Sequence, residues 1–485
     1  MASPVSLKIT SSAFHFGRLS HNIFLEIVRS LRLRKLRAAS YLSLAFIVKT
    51  GFRGPSMQVA ESNSGSARIF YGWYVVMACV VGTAMGWAVA VIFSFSSFAP
   101  LLHNEFGWSF TSIGVAMALF GWCIVITSPV VGWLIDKHGP RRVLLPSIFL
   151  LGLVVCSMSM LNSSIISFYV GMSLMGIFGA GTGVAPYSKI LLGWFDKKRG
   201  LALGIGLSGV GLGAFLAPLF IEAVTDAYGW RGAYLALGCS IWVISGIVCY
   251  VFLKNSSSEM GLKMDGAGKL TVEDEERLLT KTGFSVKEAT SKRIFWLLIV
   301  SFFVLGITMS GVVVHMKQLL IVSGVAITDA AQVLSILGIA VILGRILAGY
   351  LMDRIFAPYV AVMFFLGPMI GYFMFIQGVT GFEAIVAIFL FGVAVGAEFD
   401  ILSFFTSKYF GMKNFGILFG WIFASFQIGQ SLGAYLTGYA IDSEQLSMLL
   451  TVYTGGIIFA CVCFLLLGPY TSFAINDSKI AVERA

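Results

Sequence analysis

Three ionisable residues, Arg345, Glu398 and Asp400, lie deep inside otherwise apolar stretches of this 485-residue chain. A charge at the centre of a bilayer costs at least ~3 kcal/mol unless it is paired or wetted, so these positions are candidates for chemistry on an ion or a proton. Arg345 carries a permanently charged, planar fork of donors that matches a carboxylate in two parallel hydrogen bonds. Such a group offsets the desolvation of an organic anion. In the same surroundings burial favours a neutral carboxyl and an adjacent arginine favours a charged one, so a proton and an anion can share the environment. Glu398 and Asp400 are two residues apart, about 200° around a helix, and only one of them can face a given cavity. Structural readings stand beside these: Arg345 paired with Glu398 or Asp400, or snorkelling to the interface. Lys189 and His315 lie nearer the ends of apolar stretches, where snorkelling and interface anchoring are expected.

The elements that must position these groups are membrane spans. Hydrophobic residues make up 58% of the chain and charged ones 12%, about half the charge of an ordinary soluble domain. A span needs roughly 20 apolar residues, and twelve stretches qualify: 72–99, 111–135, 143–161, 164–190, 200–222, 233–253, 294–316, 327–352, 357–377, 382–407, 414–439 and 446–469. Counting back from Asp353 and Lys408 places Arg345, Glu398 and Asp400 about 12 to 15 Å inside. The links on one side hold Lys137, Arg141, Arg142, Lys197, Lys198, Arg199, Arg354, Lys408 and Lys413, and those on the other hold only Arg231 and Lys317. The basic side is expected to be cytoplasmic, with both termini on it.

The formal charge of +10 resembles a nucleic-acid signal until it is divided, because residues 1–56 hold nine Lys and Arg against one acid, Glu26. No nucleic-acid partner is expected. Residues 1–70 read as a basic extension, and 1–56 have the Arg- and Ser-rich composition of a transit peptide, or of an over-extended start ahead of Met57. A six-helix bundle is expected over 71–253, a charged linker over 254–293, a second bundle over 294–469 and a tail over 470–485. All seven cysteines fall in expected spans and form no metal-ligand spacing, so neither a metal nor a cofactor is implied. No nucleophile–base pair or phosphate loop occurs in a placeable context, which argues against an enzyme.

An internal repeat supports two halves. "GWLIDK" at 132–137 returns as "GYLMDR" at 349–354, and "FGAGTG" at 178–183 as "FGVAVG" at 391–396, at offsets of 217 and 213 residues. Gly132, Asp136, Gly139 and Arg141 form a candidate latch: glycine lets helices approach, and Asp136 beside a helix end could join the basic pair. The second copy keeps Gly349, Asp353 and Arg354 but lacks the second glycine and the Arg pair, so a weaker C-half latch is expected. Gly204, Gly206 and Gly209 spell Gly-x-Gly-x-x-Gly with no preceding strand. With Gly213 and Pro218 they read as a close-packing, bending helix face rather than a nucleotide loop.

"GWLIDKHGPRR" (132–142) resembles the loop signature of the major facilitator superfamily between its second and third spans, and the resemblance covers about 70–470. "GWFDKKRGLALG" (193–204) and "GRILAGYLMDR" (344–354) resemble the monocarboxylate porter and oxalate/formate exchanger branch. The resemblance implies an all-α fold of twelve transmembrane helices in two pseudo-symmetric six-helix bundles. It also implies a midplane site and alternating access, with Arg345 meeting a substrate carboxylate. "GAEFD" (396–400) is similar to the setting in bacterial members and favours Glu398 as the functional acid. Two lysines expected of these porters are missing, one from 72–102 and one from 414–439, so a monoanion is expected rather than oxalate. The expected activity is proton-coupled symport of a small organic monoanion, with Glu398 or Asp400 in the coupling and the plasma membrane as location. An exporter or exchanger of another solute is the alternative within the class. A transport-inactive sensor is the alternative outside it.

Overall fold

The computed structural model describes residues 70–268, 283–313 and 315–470. The basic extension, "EDEER" at 273–277 and the tail from 471 lie outside the described residues. Among the described residues, ten helical runs are long and apolar enough to cross a membrane. With one of them divided at a kink and a shorter apolar helix added, they give twelve spans among the described residues. The first four are α1 (Gly72–Phe93), α2 (Phe110–His138), α3 (Pro140–Ser157) and α4 (Ile165–Trp194). The 54-residue run Arg199–Phe252 turns at Gly229, whose φ of 70° breaks the helix, giving α5 (199–228) and α6 (230–252). The second half contributes α7 (Arg293–Val313), α8 (Ile327–Met352), α9 (Ala357–Gln377), α10 (Gly381–Phe410), α11 (Phe415–Asp442) and α12 (Leu446–Leu465). In α8 the strongly apolar part is Ile336–Met352.

No strand occurs among the described residues; the nearest approach is an isolated bridge between Gly283 and Gly411. Several spans are irregular where polar or small residues cluster. Helix α1 ends its regular part at Ala84 and resumes as a π-helical turn over Ala88–Phe93, and α4 passes through a 3₁₀ turn at Ala180–Thr182. Further π turns fall in α6 (Ile241–Gly246) and α7 (Gly306–Ser310). Such turns free backbone groups inside an apolar medium and are tolerated only where neighbouring helices cover them.

Two kinds of helix contact define the architecture. Within the second half α8 packs closely on α10; between the halves α2 lies along α11 and α5 along α8. Small residues allow both. A Cβ on Gly396 would stand 2.2 Å from Val341 O, and one on Gly344 2.2 Å from Val393 O, so α8 and α10 meet backbone to backbone in the turn that precedes Arg345. On α5, a Cβ on Gly209 or Gly213 would stand 1.9 or 2.3 Å from the carbonyls of Val80 and Ala84 in α1, while Pro218 lies further along the same helix. Hydrophobic attraction does not bring helices together in lipid, so this close contact and buried polar bonding must do it.

Candidate functional site

The α8–α10 contact buries one ion pair. Arg345 Nη1 donates to Asp400 Oδ1 at 3.0 Å, with the two side chains 3% and 0% exposed. Each partner keeps a further polar atom, Arg345 Nε and Asp400 Oδ2, buried without a hydrogen-bond partner among the described residues. The guanidinium fork is therefore engaged through one nitrogen only. Glu398 is as deeply buried, at 1%, but sits two residues away on α10, and it is Asp400 that turns to the arginine. Of the alternatives open in the sequence, the pair Arg345–Asp400 is the one the helices make.

One turn further along α10, Ser403 Oγ meets Ser188 Oγ of α4 at 2.8 Å, a buried hydroxyl contact between the halves. The next residue on α4, Lys189, forms an ion pair with Asp136. Sequence reasoning gave Lys189 a snorkelling role and did not single out Ser188 or Ser403. Buried serines leave no signal in composition, because Ser is common in spans and bonds its own helix. His315 Nε2 lies 3.0 Å from Ala434 O, tying the end of the seventh span to α11.

Beyond Lys189 lies the latch, and it is doubled. Asp136, at the end of α2, accepts from the backbone N–H groups of Gly416 (2.8 Å) and Ile417 (2.9 Å). These are the second and third residues of α11, whose N-cap Asn414 offers no side-chain cap. Asp353, just past α8, accepts likewise from Gly200 (2.7 Å) and Leu201 (2.9 Å) of α5, whose N-cap Lys198 is equally uncapped. Each carboxylate from one half thus takes the donors that an N-cap side chain normally satisfies and faces the positive end of the helix dipole. Glycines make the approach possible: a Cβ on Gly132 would stand 2.1 Å from Gly416 O, and one on Gly349 2.2 Å from Gly200 O.

The C-half copy keeps the carboxylate, the glycine and the helix start in "GYLMDR", but of the two carboxylates only Asp136 is also ion-paired, to Lys189, among the described residues. Two expected latch residues need correction. Arg141 does not join Asp136: its Nη2 donates to Tyr250 O at 2.6 Å and its guanidinium lies over the Tyr250 ring, fastening α3 to α6 within the first half. Gly139 makes no latch contact either. With φ of 87° it forms the turn from α2 into α3, which requires a residue tolerant of positive φ.

Near Ser128, the position equivalent to Arg345 by the repeat, a cavity of about 20 Å³ is enclosed by Trp87, Ile124, Val131, Phe419 and Phe423 among others. It is large enough for about one water. Its lining carries no charged residue: Trp87, Ile124 and Val131 come from the first half, and Phe419 and Phe423 from α11 of the second.

A fold of paired six-helix halves, closed at one end by reciprocal carboxylate caps, defines a membrane transporter rather than an enzyme. The chain belongs to the Major Facilitator Superfamily, which its residues 76–434 match. It is 24% identical over 389 residues to monocarboxylate transporter 12 of Xenopus laevis, covering 77% of this chain and 83% of that one. It is 26% identical over 384 residues to monocarboxylate transporter 13 of Bos taurus, with the same two coverages. Among solved structures it resembles the proton:xylose symporter XylE, with a TM-score of 0.67 and 13% identity over 85% of this chain and 99% of that one. That likeness concerns the fold.

Proposed function

We propose that this transporter carries a small organic monoanion, a monocarboxylate, together with a proton by alternating access. The reading rests on one observation: Arg345, deep in the spans, is buried against Asp400, to which it makes one hydrogen bond among the described residues. While Asp400 is ionised, Arg345 is neutralised and offers little to an anion. A proton on Asp400 releases the positive charge, and the fork can then take a carboxylate bidentately. Proton and anion load together, and the complex that crosses carries no added net charge. The names of the monocarboxylate transporters to which the chain is similar support the substrate class.

The carboxylate caps fit the same cycle. With Asp136 and Asp353 seated, the basic ends of the halves are held together, and releasing them opens a path to the basic side. On α4, Ser188 contacts Ser403, one turn along from Asp400, and Lys189 pairs with Asp136, so this helix runs from beside the ion pair to one of the caps. We take the basic face to be cytoplasmic and the membrane to be the plasma membrane.

The test is uptake of radiolabelled lactate, pyruvate and acetate into proteoliposomes under an imposed pH gradient. Gradient-driven uptake that is lost in a folded Arg345→Gln variant is the expected result. Uptake indifferent to the gradient removes the coupling, and uptake indifferent to the variant removes the arginine from the site.

A further inference from the structure

A second cavity, of about 370 Å³, opens on the basic face where the loop before α5 meets the ends of α8 and α10. Its size falls within the range of small-molecule sites, about 300 to 1,000 Å³. Its lining includes Lys197, Arg354, Lys408, Asp196, Asp353 and Tyr470. The two acids are already engaged: Asp196 Oδ1 pairs with Arg199 at 3.1 Å, and both oxygens of Asp353 accept from the start of α5. The three cations are not. Lys197, Arg354 and Lys408 have no carboxylate within 4.0 Å among the described residues. Arg354 instead lies 3.5 Å over the Tyr350 ring and donates one N–H to Tyr350 O, leaving the rest of its donor fork uncommitted. The Tyr470 hydroxyl accepts from Ala357 N–H at 2.8 Å, so its own proton remains to be donated.

We infer that this cavity binds a phosphate-bearing anion of two or more charges. One arginine fork, two ammonium groups and a phenolic donor around one space match a multiply charged tetrahedral oxyanion better than a monocarboxylate, which Arg345 alone suits. Positive-inside topology accounts for basic residues on this face, but not for three of them lining one concave space, where Asp353 and Asp196 offset part of their charge without a direct ion pair to any of them among the described residues. Lys197 belongs to the first half, and Arg354 and Lys408 to the second. An anion between them bridges the halves next to Asp353 and favours the state in which that cap is seated.

The experiment follows the thermal unfolding midpoint of the full-length protein in detergent as sodium pyrophosphate is added, against sodium chloride of matched ionic strength. A saturable rise specific to pyrophosphate is expected. Lys197→Gln and Lys408→Gln should each lower the affinity about tenfold, while Lys137→Gln, on the same face but outside the cavity and stacked 4.8 Å from the Trp133 ring, leaves it unchanged. A parallel arm places the protein in nanodiscs of phosphatidylglycerol with or without phosphatidylinositol 4-phosphate. A rise confined to the phosphoinositide and lost in the cavity variants assigns the site to a lipid headgroup; a rise with pyrophosphate assigns it to a soluble phosphate. No specific response in either arm, or an equal loss in Lys137→Gln, overturns the inference. Lys197 is exposed on a loop, so its variant remains informative if Lys408→Gln does not fold.

Discussion

Arg345 and Asp400, 55 residues apart in the chain, meet at 3.0 Å in the α8–α10 contact, and each retains one buried polar atom without a hydrogen-bond partner among the described residues. A pair satisfied on only one side is poised between two arrangements. It is stable enough to be buried, and open enough for a proton or a carboxylate to change its partners.

Removing one member of such a pair leaves an uncompensated buried charge and costs about 3 to 5 kcal/mol. Arg345→Gln and Asp400→Asn should each lower the thermal midpoint in detergent, and the double variant should recover much of the loss. In transport, Asp400→Asn is expected to retain exchange of labelled substrate while losing the response to a pH gradient. A double variant no more stable than the singles would argue against direct coupling of the two residues.

The cap at Asp136 is expected to contribute more than the one at Asp353, because Lys189 adds an ion pair to it. Asp136→Asn weakens a pair of charge-assisted backbone bonds, worth about 2 kcal/mol to the closed arrangement, and removes that ion pair. Spin labels at His138 and Lys413, across the basic face, should report a larger open fraction in this variant than in Asp353→Asn. An equal or larger opening in Asp353→Asn would place the stronger cap on the second copy.

Burial raises the Asp353 carboxyl above the usual aspartate value, outweighing the amide bonds from Leu201 and Gly200 and the nearby charges of Lys408 and Arg354. In the open arrangement an exposed aspartate titrates near the ordinary value of about 3.9. Proton binding therefore favours the closed cap: the contribution is fully present below that ordinary value and is lost as pH rises through the raised one. The closed fraction, read from the same spin labels, should increase as pH falls from about 7 to about 4. Asp353→Asn should flatten that dependence.

Glycine substitutions separate close approach from helix propensity. In Gly349→Ala the new methyl would meet the backbone carbonyl of Gly200 at 2.2 Å, a contact no rotamer relieves. The protein should still fold but hold α5 and α8 apart, giving an open basic face and slowed turnover. Gly114→Ala on α2, where a Cβ meets nothing within 4 Å, should be neutral or stabilising by up to ~1 kcal/mol. Equal behaviour of the two would remove close packing as the role of Gly349.

What the sequence determined by itself was the set of properties written locally. Apolar runs of span length, the basic bias of alternate links and the 217-residue repeat are each read along the chain, because a bilayer imposes its thickness on every span separately. Arg345 was legible for the same reason: a charge in an apolar run stands out without knowledge of its neighbours.

The tertiary structure decided which groups meet. Asp400 rather than Glu398 faces Arg345 because the α8–α10 crossing at Gly344 and Gly396 fixes the rotation of α10, and a 200° separation turns the other acid away. Asp136 and Asp353 find backbone amides of the opposite half, and not the arginines beside them in sequence, because a helix start leaves N–H groups unsatisfied wherever it lies. Ser188 and Ser403 lie 215 residues apart, and only the packing of α4 on α10 brings the two hydroxyls together.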